Sequence, residues 1–197
     1  MLVEQGSVPL GALPITEFKD HLLLGTGFSA GSVQDPVLEN YLRSSIAAIE
    51  ARTGKVLIEK QYSWTLTAWR EACRQALPLA PISTVDVVRL IDRLGVVTVV
   101  DAADYRLEVD THRPVLWSSA GNLPPIATGG TVEIDFTAGF GAAWGTVPDD
   151  LALAVFLLAA HFYENRAGLG TDGGMPFDVS SLIQKYRNVR IFGGAGA

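Results

Sequence analysis

The sequence has little of the chemistry on which secreted and membrane proteins depend. Its one cysteine, Cys73, excludes an internal disulfide and a zinc site built from cysteines. The longest apolar run covers residues 151–160, whereas a membrane-spanning helix needs about 20 such residues. The N-terminus has no basic region followed by an apolar stretch, as a secretory signal would have. We therefore expect a protein that is made in the cytoplasm and does not enter a membrane.

Charged residues are also scarce, at 18% of the chain compared with about 25% in typical soluble domains. The formal net charge is -6, and no basic cluster is present, so sequence-specific DNA binding is not expected. Apolar residues make up 48% of the 197 residues. A chain with this balance leaves apolar surface uncovered as a monomer, which favours an oligomer whose subunit contacts bury that surface.

Glycine-rich stretches imitate a dinucleotide-binding fingerprint at residues 25–31 and 139–145. In GFGAAWG the third glycine is one place late, and the region that follows is helical where a second strand with an acidic end should lie. The mismatch applies equally to GTGFSAG. Both stretches are interpreted as turns that need the conformational freedom of glycine. The chain has no P-loop either, so no nucleotide or other cofactor is predicted.

Helical patterns begin after residues 1–14, a segment with glycines and prolines that is predicted to be an extended, unpacked arm. Thr16 is the expected N-cap of a short helix, and Asp35 with Pro36 is the expected start of a longer one. Gly54 follows that helix in the C-cap position. Its buried face is predicted to consist of Leu38, Leu42, Ser45 and Ile49.

Helical patterns return at Pro148. A helix that is apolar nearly all round is predicted from there to about residue 167, ending at Gly168, and such a helix lies inside a core or between subunits. Asp178 is the expected N-cap of a last short helix. Residues 188–197 end in small side chains and are predicted to form a mobile tail.

The middle of the chain changes to a two-residue period, which is typical of half-buried strands. The first predicted strand is KVLIEKQYSWTLT, and PLAPISTVDVVRLIDRLGVVTVV contains two more, which are joined near Gly95. The strands YRLEV and PVLWS follow, with the turn DTHR between them, and TVEIDFTAG is the last. These patterns predict one α+β domain. Its helical core would comprise residues 15–54 and 146–187, and residues 55–145 would form a central antiparallel β insertion.

One helix end, AAHFYENRAG, raises the question of catalysis. His161 and Glu164 share a helix face, where a metal or an acid–base pair could lie. A metal site needs a third ligand and an open position, and the other histidines, His21 and His112, lie in different elements. We favour a structural helix end, in which Arg166 complements the helix dipole. A metal-assisted hydrolase is the alternative, and no catalytic or metal residue is assigned.

Two other groups of residues have a structural interpretation. Carboxylates around one strand could bind calcium but lack the order of an EF-hand loop, so we interpret them as a solvated strand edge. They are Asp101, Asp104, Glu108 and Asp110. The tryptophans, which could stack on sugars or bases, are interpreted as core and interface anchors. They are Trp64, Trp69, Trp117 and Trp144.

Seven segments, taken in order over about residues 14–187, resemble one family. They are PITEFKDHLLL, DPVLENYLRSSIAAIEARTGKVLIEKQYSWTL, LPLAPISTVDVVRLID, DYRLEVDTHRPVLW, VEIDFTAGFG, VPDDLALAVFLLAAHFYENRAG and MPFDVSSLIQKYR. The family is the head-to-tail connector adaptors of tailed phages and phage-like gene transfer agents. The resemblance implies a helical bundle with a β insertion, no catalysis, and a twelve-fold ring beneath the portal protein of the capsid.

The resemblance also implies partners and contact residues. The ring would extend a channel for double-stranded DNA, without sequence-specific binding, and would dock the next connector protein, the stopper. Portal contacts would come from the C-terminal segment, namely Tyr186, Arg187, Arg190, Ile191 and Phe192. Tyr163, Glu164 and Arg166 would brace the β section or a neighbouring subunit. Another particle component, such as a stopper or tail terminator, is the remaining alternative.

Overall fold

The computed structural model describes residues 1–23, 34–165 and 174–187. The helices in these residues are α1 (Ile15–His21), α2 (Asp35–Thr53), α3 (Asp149–Glu164) and α4 (Phe177–Ile183), the last continued by a 3-10 turn, Gln184–Tyr186. The strands are β1 (Leu2–Glu4), β2 (Lys60–Leu66), β3 (Arg74–Ala76), β4 (Ile82–Ile91), β5 (Val97–Val99), β6 (Tyr105–Glu108), β7 (Val115–Ser118) and β8 (Thr131–Ala138). The predicted α+β class is confirmed. Within the same residues, no helix is both long and apolar enough to cross a bilayer.

The helical half is built on the contact between α2 and α3. The predicted apolar face of α2 is confirmed, because Leu38, Leu42, Ser45 and Ile49 are all buried. α3 buries Leu151, Ala154, Val155, Leu158 and Ala159 in the same core. Gly54 ends α2 in the left-handed conformation, as predicted, with φ at 68°.

Proline, more than the predicted caps, decides where the helices begin. α1, α3 and α4 each start directly after a proline, namely Pro14, Pro148 and Pro176. The predicted N-caps Thr16, Asp35 and Asp178 are wrong, since each lies inside the first turn and none is the residue that precedes the helix. A proline that is fixed at φ near -65° supplies the turn into the helix, so no side-chain cap is needed there.

The β half contains two antiparallel sheets. The larger has the strand order β1-β2-β8-β4-β5, and the smaller has the order β3-β7-β6. β8 is the central strand, and its alternation of buried and half-buried residues matches the two-residue period in TVEIDFTA. Its inward side chains are Val132, Ile134, Phe136 and Ala138, which lie in a second core, separate from the helical one.

The N-terminal segment is packed, so the prediction of an unpacked arm is wrong. β1 pairs with β2, with Val3 opposite Ser63, and becomes an outer strand of the large sheet. Val8 and Leu13 are buried in the helical core. The prediction failed because glycine and proline mark turns, whereas the apolar residues between them still find a core to enter.

Candidate assembly surfaces

Tyr186 ties the C-terminal turn to α3. Tyr186 is only 8% exposed and packs edge-on against Phe140, with ring centres 6.5 Å apart. Its hydroxyl donates to Oδ1 of Asp150 over 2.8 Å, and Lys185 Nζ lies 2.7 Å from Oδ2 of the same carboxylate. Burial alone would raise the pKa of Asp150, but the hydrogen bonds from Lys185 and Tyr186 outweigh it and lower that pKa.

These contacts give Tyr186 a structural position inside the subunit. Its side chain holds the start of the C-terminal segment, and Arg187, which is exposed and has an extended backbone, is the next residue along. The other residues assigned to portal contacts, Arg190, Ile191 and Phe192, lie outside the described residues, as does the tail 188–197.

The polar end of α3 forms local contacts. The Nδ2 atom of Asn165 donates to the carbonyl oxygen of His161 over 2.9 Å and lies 3.2 Å from its Nδ1, while Glu164 is exposed. Tyr163 packs edge-on against Tyr41 of α2, with ring centres 6.1 Å apart. Arg166 and the predicted helix end at Gly168 lie outside the described residues, and α3 is described up to Glu164. Among residues 1–23, 34–165 and 174–187, no histidines, cysteines or carboxylates form a group that could hold a metal ion.

Gly139 has the conformational freedom predicted for this stretch, and Gly139 and Gly141 both lie in close contact with neighbouring residues. Gly139 has φ at 144°, and a Cβ there would collide with the backbone of Glu59. A Cβ on Gly141 would lie 2.6 Å from Oγ1 of Thr146. The other glycine-rich stretch, residues 25–31, lies outside the described residues. It includes GFSAG, which fits the G-x-S-x-G spacing of a hydrolase nucleophile elbow. The last described element before it is the helix α1, whereas such an elbow follows a strand.

The carboxylates considered for calcium form turns. Asp101 accepts from the Ala103 amide over 2.9 Å, and Asp110 accepts from the amides of His112 and Arg113. Those two amides hold the pKa of Asp110 below its usual value. Asp104 and Glu108 are exposed. Carboxylates that accept amide hydrogen bonds stabilise the ends of β6, which accounts for their position.

The tryptophans anchor the two cores, with one exception. Trp64 and Trp69 pack against the β core, and Trp144 stacks on Phe156 of the helical core. Trp117 lies between two guanidinium groups on the small sheet, with Arg74 at 5.2 Å and Arg106 at 5.7 Å from its ring centre. The predicted anchoring role is therefore confirmed for Trp64, Trp69 and Trp144.

A group of exposed apolar residues that the sequence analysis does not assign lies at one edge of the large sheet. The turn between β4 and β5 and the outer strand β5 expose Leu94 (79%), Val96 (60%), Val97 (52%) and Val99 (62%), which we call the hairpin patch. Oδ1 of Asp92 accepts from the amides of Leu94 and Val96, so the turn is held in a fixed shape. The signal was present in the sequence as the aliphatic run GVVTVV next to a turn, but alternation alone does not say whether a chain neighbour covers the strand.

A cavity of about 410 Å³ lies at the opposite end of the same sheet. It is bounded by the N-terminal segment, α2 and β2, and we call it the junction cavity because the two halves of the molecule meet there. Its apolar walls include Leu2, Val8, Leu13, Ile46, Val56 and Leu79. A buried ion pair lies beside them, in which Lys60 Nζ is 3.0 Å from Glu50 and 3.3 Å from Glu4.

Glu50 and Lys60 join the helical half to the β half. Glu50, on α2, also accepts from the Leu57 amide over 2.8 Å, at the approach to β2. Burial raises the pKa of Glu50 even though Lys60 opposes the shift. Burial would lower the pKa of Lys60, but the adjacent carboxylate of Glu50 outweighs it and raises that pKa. Removing either partner would leave a buried charge unpaired.

Lys55 is a second buried cation beside the junction cavity. The residue has no exposed surface, and its Nζ has no hydrogen-bond partner among the described residues. Burial lowers the pKa of Lys55, and only the more distant Asp110 opposes this. A buried ammonium without a protein acceptor is costly, which is the physical cause of the lowered pKa.

The outer face of the large sheet is polar and mostly acidic. Arg89 lies between Glu133, at 3.2 Å, and Asp135, while Asp86 accepts from Thr137 and Glu59 accepts from Ser83. This face therefore carries four carboxylates and one guanidinium group. It has the charge of a surface that repels phosphate.

Comparison with known proteins identifies the assembly. No protein-family model matches the chain, and a search of curated proteins gives no match. Solved structures do match. A chain in the neck of an empty GTA particle, computed with C6 symmetry, is 54% identical, with a TM-score of 0.90 and 98% of each chain covered. Chains in the virion of a native gene transfer agent particle (52% identity, TM-score 0.86) and in the neck of a native GTA particle computed with C12 symmetry (49%, 0.85) match over the same 98% of each chain.

These identities extend over nearly the whole chain, and the predicted resemblance is confirmed. The α+β fold of the described residues agrees with that of these neck components. The chain belongs to the head-to-tail connector proteins of gene transfer agents, which are structural proteins of the particle neck.

Proposed function

We propose that this protein is the adaptor of the neck, a subunit that forms a twelve-fold ring beneath the portal, extends the DNA channel and docks the next connector protein. The observation that carries the proposal is the match over 98% of the chain to neck structures computed with C6 and C12 symmetry. The exposed hairpin patch supports it, because a subunit of a ring has apolar surface that its neighbours cover. The protein acts by assembly, without catalysis, in a phage-like particle put together in the producing cell.

The C-terminal segment is the proposed portal contact. Tyr186 fixes the start of this segment to Asp150 and Phe140, next to the exposed Arg187. We assign the portal contacts to Arg187, Arg190, Ile191 and Phe192, and we assign Tyr186 the supporting role.

The polar end of α3 is the proposed subunit contact, through Tyr163, Glu164 and Arg166. Glu164 is exposed, and the contact of Tyr163 with Tyr41 holds this end of α3 against α2. Alanine at Glu164 or at Arg166 is expected to weaken ring assembly and to leave the fold intact. A metal-dependent reaction that is lost in the Glu164→Ala variant would contradict the structural role and favour a hydrolase.

Passage of DNA without capture is the proposed property of the channel. Twelve copies at -6 each give the ring a formal charge of -72, and the polar face of the large sheet is itself acidic. A wall that is neutral or acidic does not retain phosphate, so double-stranded DNA slides through it. The portal-bound ring is expected to show no retention of duplex DNA at about 50 mM salt, where a phosphate-binding surface binds most tightly.

Reconstitution on the portal tests the proposal. Purified protein is mixed with portal rings, and the product is imaged for an added ring that shares the portal symmetry. The full chain should add the ring, while a chain that ends at residue 187 should remain folded and fail to bind. A full chain that leaves the portal bare, or that binds the tail-side end of the neck instead, would contradict the adaptor role and favour a stopper or tail terminator.

A further inference from the structure

The two outer strands of the large sheet, β1 and β5, present different exposed surfaces. At one end, β5 carries the hairpin patch, and all three of its residues are exposed. At the other end, β1 is also exposed along its length, and it borders the junction cavity through Leu2 and Glu4. Within the described residues, neither strand has a further neighbour in the sheet.

A ring with cyclic symmetry needs two such surfaces. Each subunit contacts its neighbours head to tail, so one patch on the subunit must fit a different patch on the next copy. We propose that the hairpin patch of one subunit docks on the β1 side of the next subunit, with Leu94 entering the junction cavity. This inference rests on the proposed ring and names the contact that closes it.

The chemistry of the two surfaces is complementary. The walls of the cavity are largely aliphatic, and the turn that would enter presents Leu94 and Val96 in a shape that Asp92 holds fixed. A fixed turn loses little conformational freedom on docking, which favours binding. A pocket that receives an apolar side chain from another copy is the arrangement that builds heterologous contacts.

The charged groups of the junction cavity also favour the hairpin patch of a neighbouring subunit as its occupant. Lys55 has a buried ammonium without an acceptor, and it lines the cavity. The entering turn carries oxygen acceptors, since Asp92 uses Oδ1 within the turn and has Oδ2 for a partner. Three cations, Arg43, Lys55 and Lys60, line the cavity against two carboxylates, Glu4 and Glu50, so its charge favours an acidic group such as Asp92.

Cysteine cross-linking in rings assembled on the portal tests the contact. In a Cys73→Ser background, Ser7→Cys at the cavity is combined with Leu94→Cys in the turn. Both residues are exposed in the single chain, so the fold should tolerate the changes. Oxidation should give a ladder of covalent multimers. Each single variant, and the pair of Leu94→Cys with the exposed Thr111→Cys, should give none.

The outcomes separate this contact from the proposed ring. Rings that form without the Ser7–Leu94 cross-link, or that cross-link equally through Thr111, overturn the contact and leave the adaptor role standing. A Cys73→Ser chain that forms no ring overturns the adaptor role and the contact together.

A variant of Lys55 provides a second readout. Lys55→Met keeps most of the volume and removes the unpaired charge, so the isolated chain should melt at a higher temperature. Lys55 has no exposed surface in the single chain, so its side chain must turn into the cavity to meet an acceptor of the neighbour. With that contact removed, ring formation on the portal should weaken about tenfold, which is the size of one lost charged hydrogen bond. A variant that is more stable and forms rings as well as the parent would overturn the contact at Lys55.

Discussion

The helical half and the β half differ in where they leave apolar side chains exposed. In the helical half and the segment that leads into it, the exposed large apolar residues are spread along the chain, at Leu10, Leu23, Val37, Leu153 and Phe177. In the β half four of them fall within six residues of one hairpin. Scattered exposure is ordinary for soluble proteins, whereas a continuous apolar patch marks a contact surface. The comparison places a concentrated apolar patch on the β half, and this is the surface that we propose another chain covers.

The largest expected effect comes from placing a charge in the hairpin patch. Leu94→Asp should abolish ring formation on the portal, because a carboxylate would have to be buried in an apolar contact. The isolated chain should keep its melting temperature, since Leu94 is 79% exposed. Imaging of portal complexes is the measurement, and Leu153→Asp, the same change on an exposed position of α3, is the control that should still form rings. Equal loss in both variants would remove the distinction between the halves.

The junction between the halves should be the next most sensitive place. Glu50→Ala leaves Lys60, whose side chain is 8% exposed, without its closest carboxylate, and should lower the free energy of unfolding by about 3 kcal/mol. The matched control is Glu39→Ala, which removes a surface i,i+4 pair with Arg43 and should cost about 0.5 kcal/mol. Chemical denaturation measures both. Similar losses in the two variants would show that the junction is not a special point of attachment.

A glycine marks the return of the chain from the β half to the helical half. Gly139→Ala forces a Cβ against the backbone of Glu59 at a φ of 144°, and should cost about 2 kcal/mol. Gly145, where a Cβ would meet nothing within 4 Å, is the control, and Gly145→Ala should change stability by less than about 0.5 kcal/mol. A neutral Gly139→Ala would mean that the close approach of β8 to Glu59 can relax.

The smallest effect concerns the tie between α3 and the C-terminal turn. Asp150→Asn should lower the free energy of unfolding by about 1 kcal/mol at neutral pH, because Tyr186 loses a charged acceptor. The pKa of Asp150 is lowered in the folded state, so its contribution is complete above the unfolded value of 3.8. It is lost as the pH falls through the lower folded value, so the two chains should become equally stable in acid.

The control for this tie is Asp149→Asn, which removes a charge from the same helix end but leaves the contact with Tyr186 intact. It should have a smaller effect, of a few tenths of a kcal/mol, through the helix dipole. A gap between the Asp150→Asn chain and the parent that persists at low pH would show that geometry rather than charge makes the tie.

The elements in which apolar residues recur at a regular spacing could be predicted from the sequence. The buried face of α2 follows from apolar residues spaced three and four apart. The β4–β5 and β6–β7 hairpins follow from apolar residues that alternate with a period of two. The pattern failed where the chain crosses between cores. Residues 55–59 continue the alternation of β2 but are not part of that strand, and Val56 enters the β core while Leu57 and Ile58 enter the helical one.

The candidate surfaces were harder to predict than the elements. β3, only three residues long, has no alternation to reveal it, and β1 lies in a segment whose glycines and prolines suggested an arm. Tyr186 was assigned to a docking surface because it precedes the tail, yet its ring lies in the core, where Phe140 arrives from a distant part of the chain. Contacts between residues far apart in sequence leave no local period to detect.

The measurement that bears most directly on the account is the number of copies of this chain that bind one portal ring. Native mass spectrometry of the reconstituted complex, together with imaging, gives that number. We expect twelve copies in a single added ring that keeps the symmetry of the portal. A chain that stays monomeric beside the portal, or that binds with a number unrelated to the portal symmetry, would contradict the central claim.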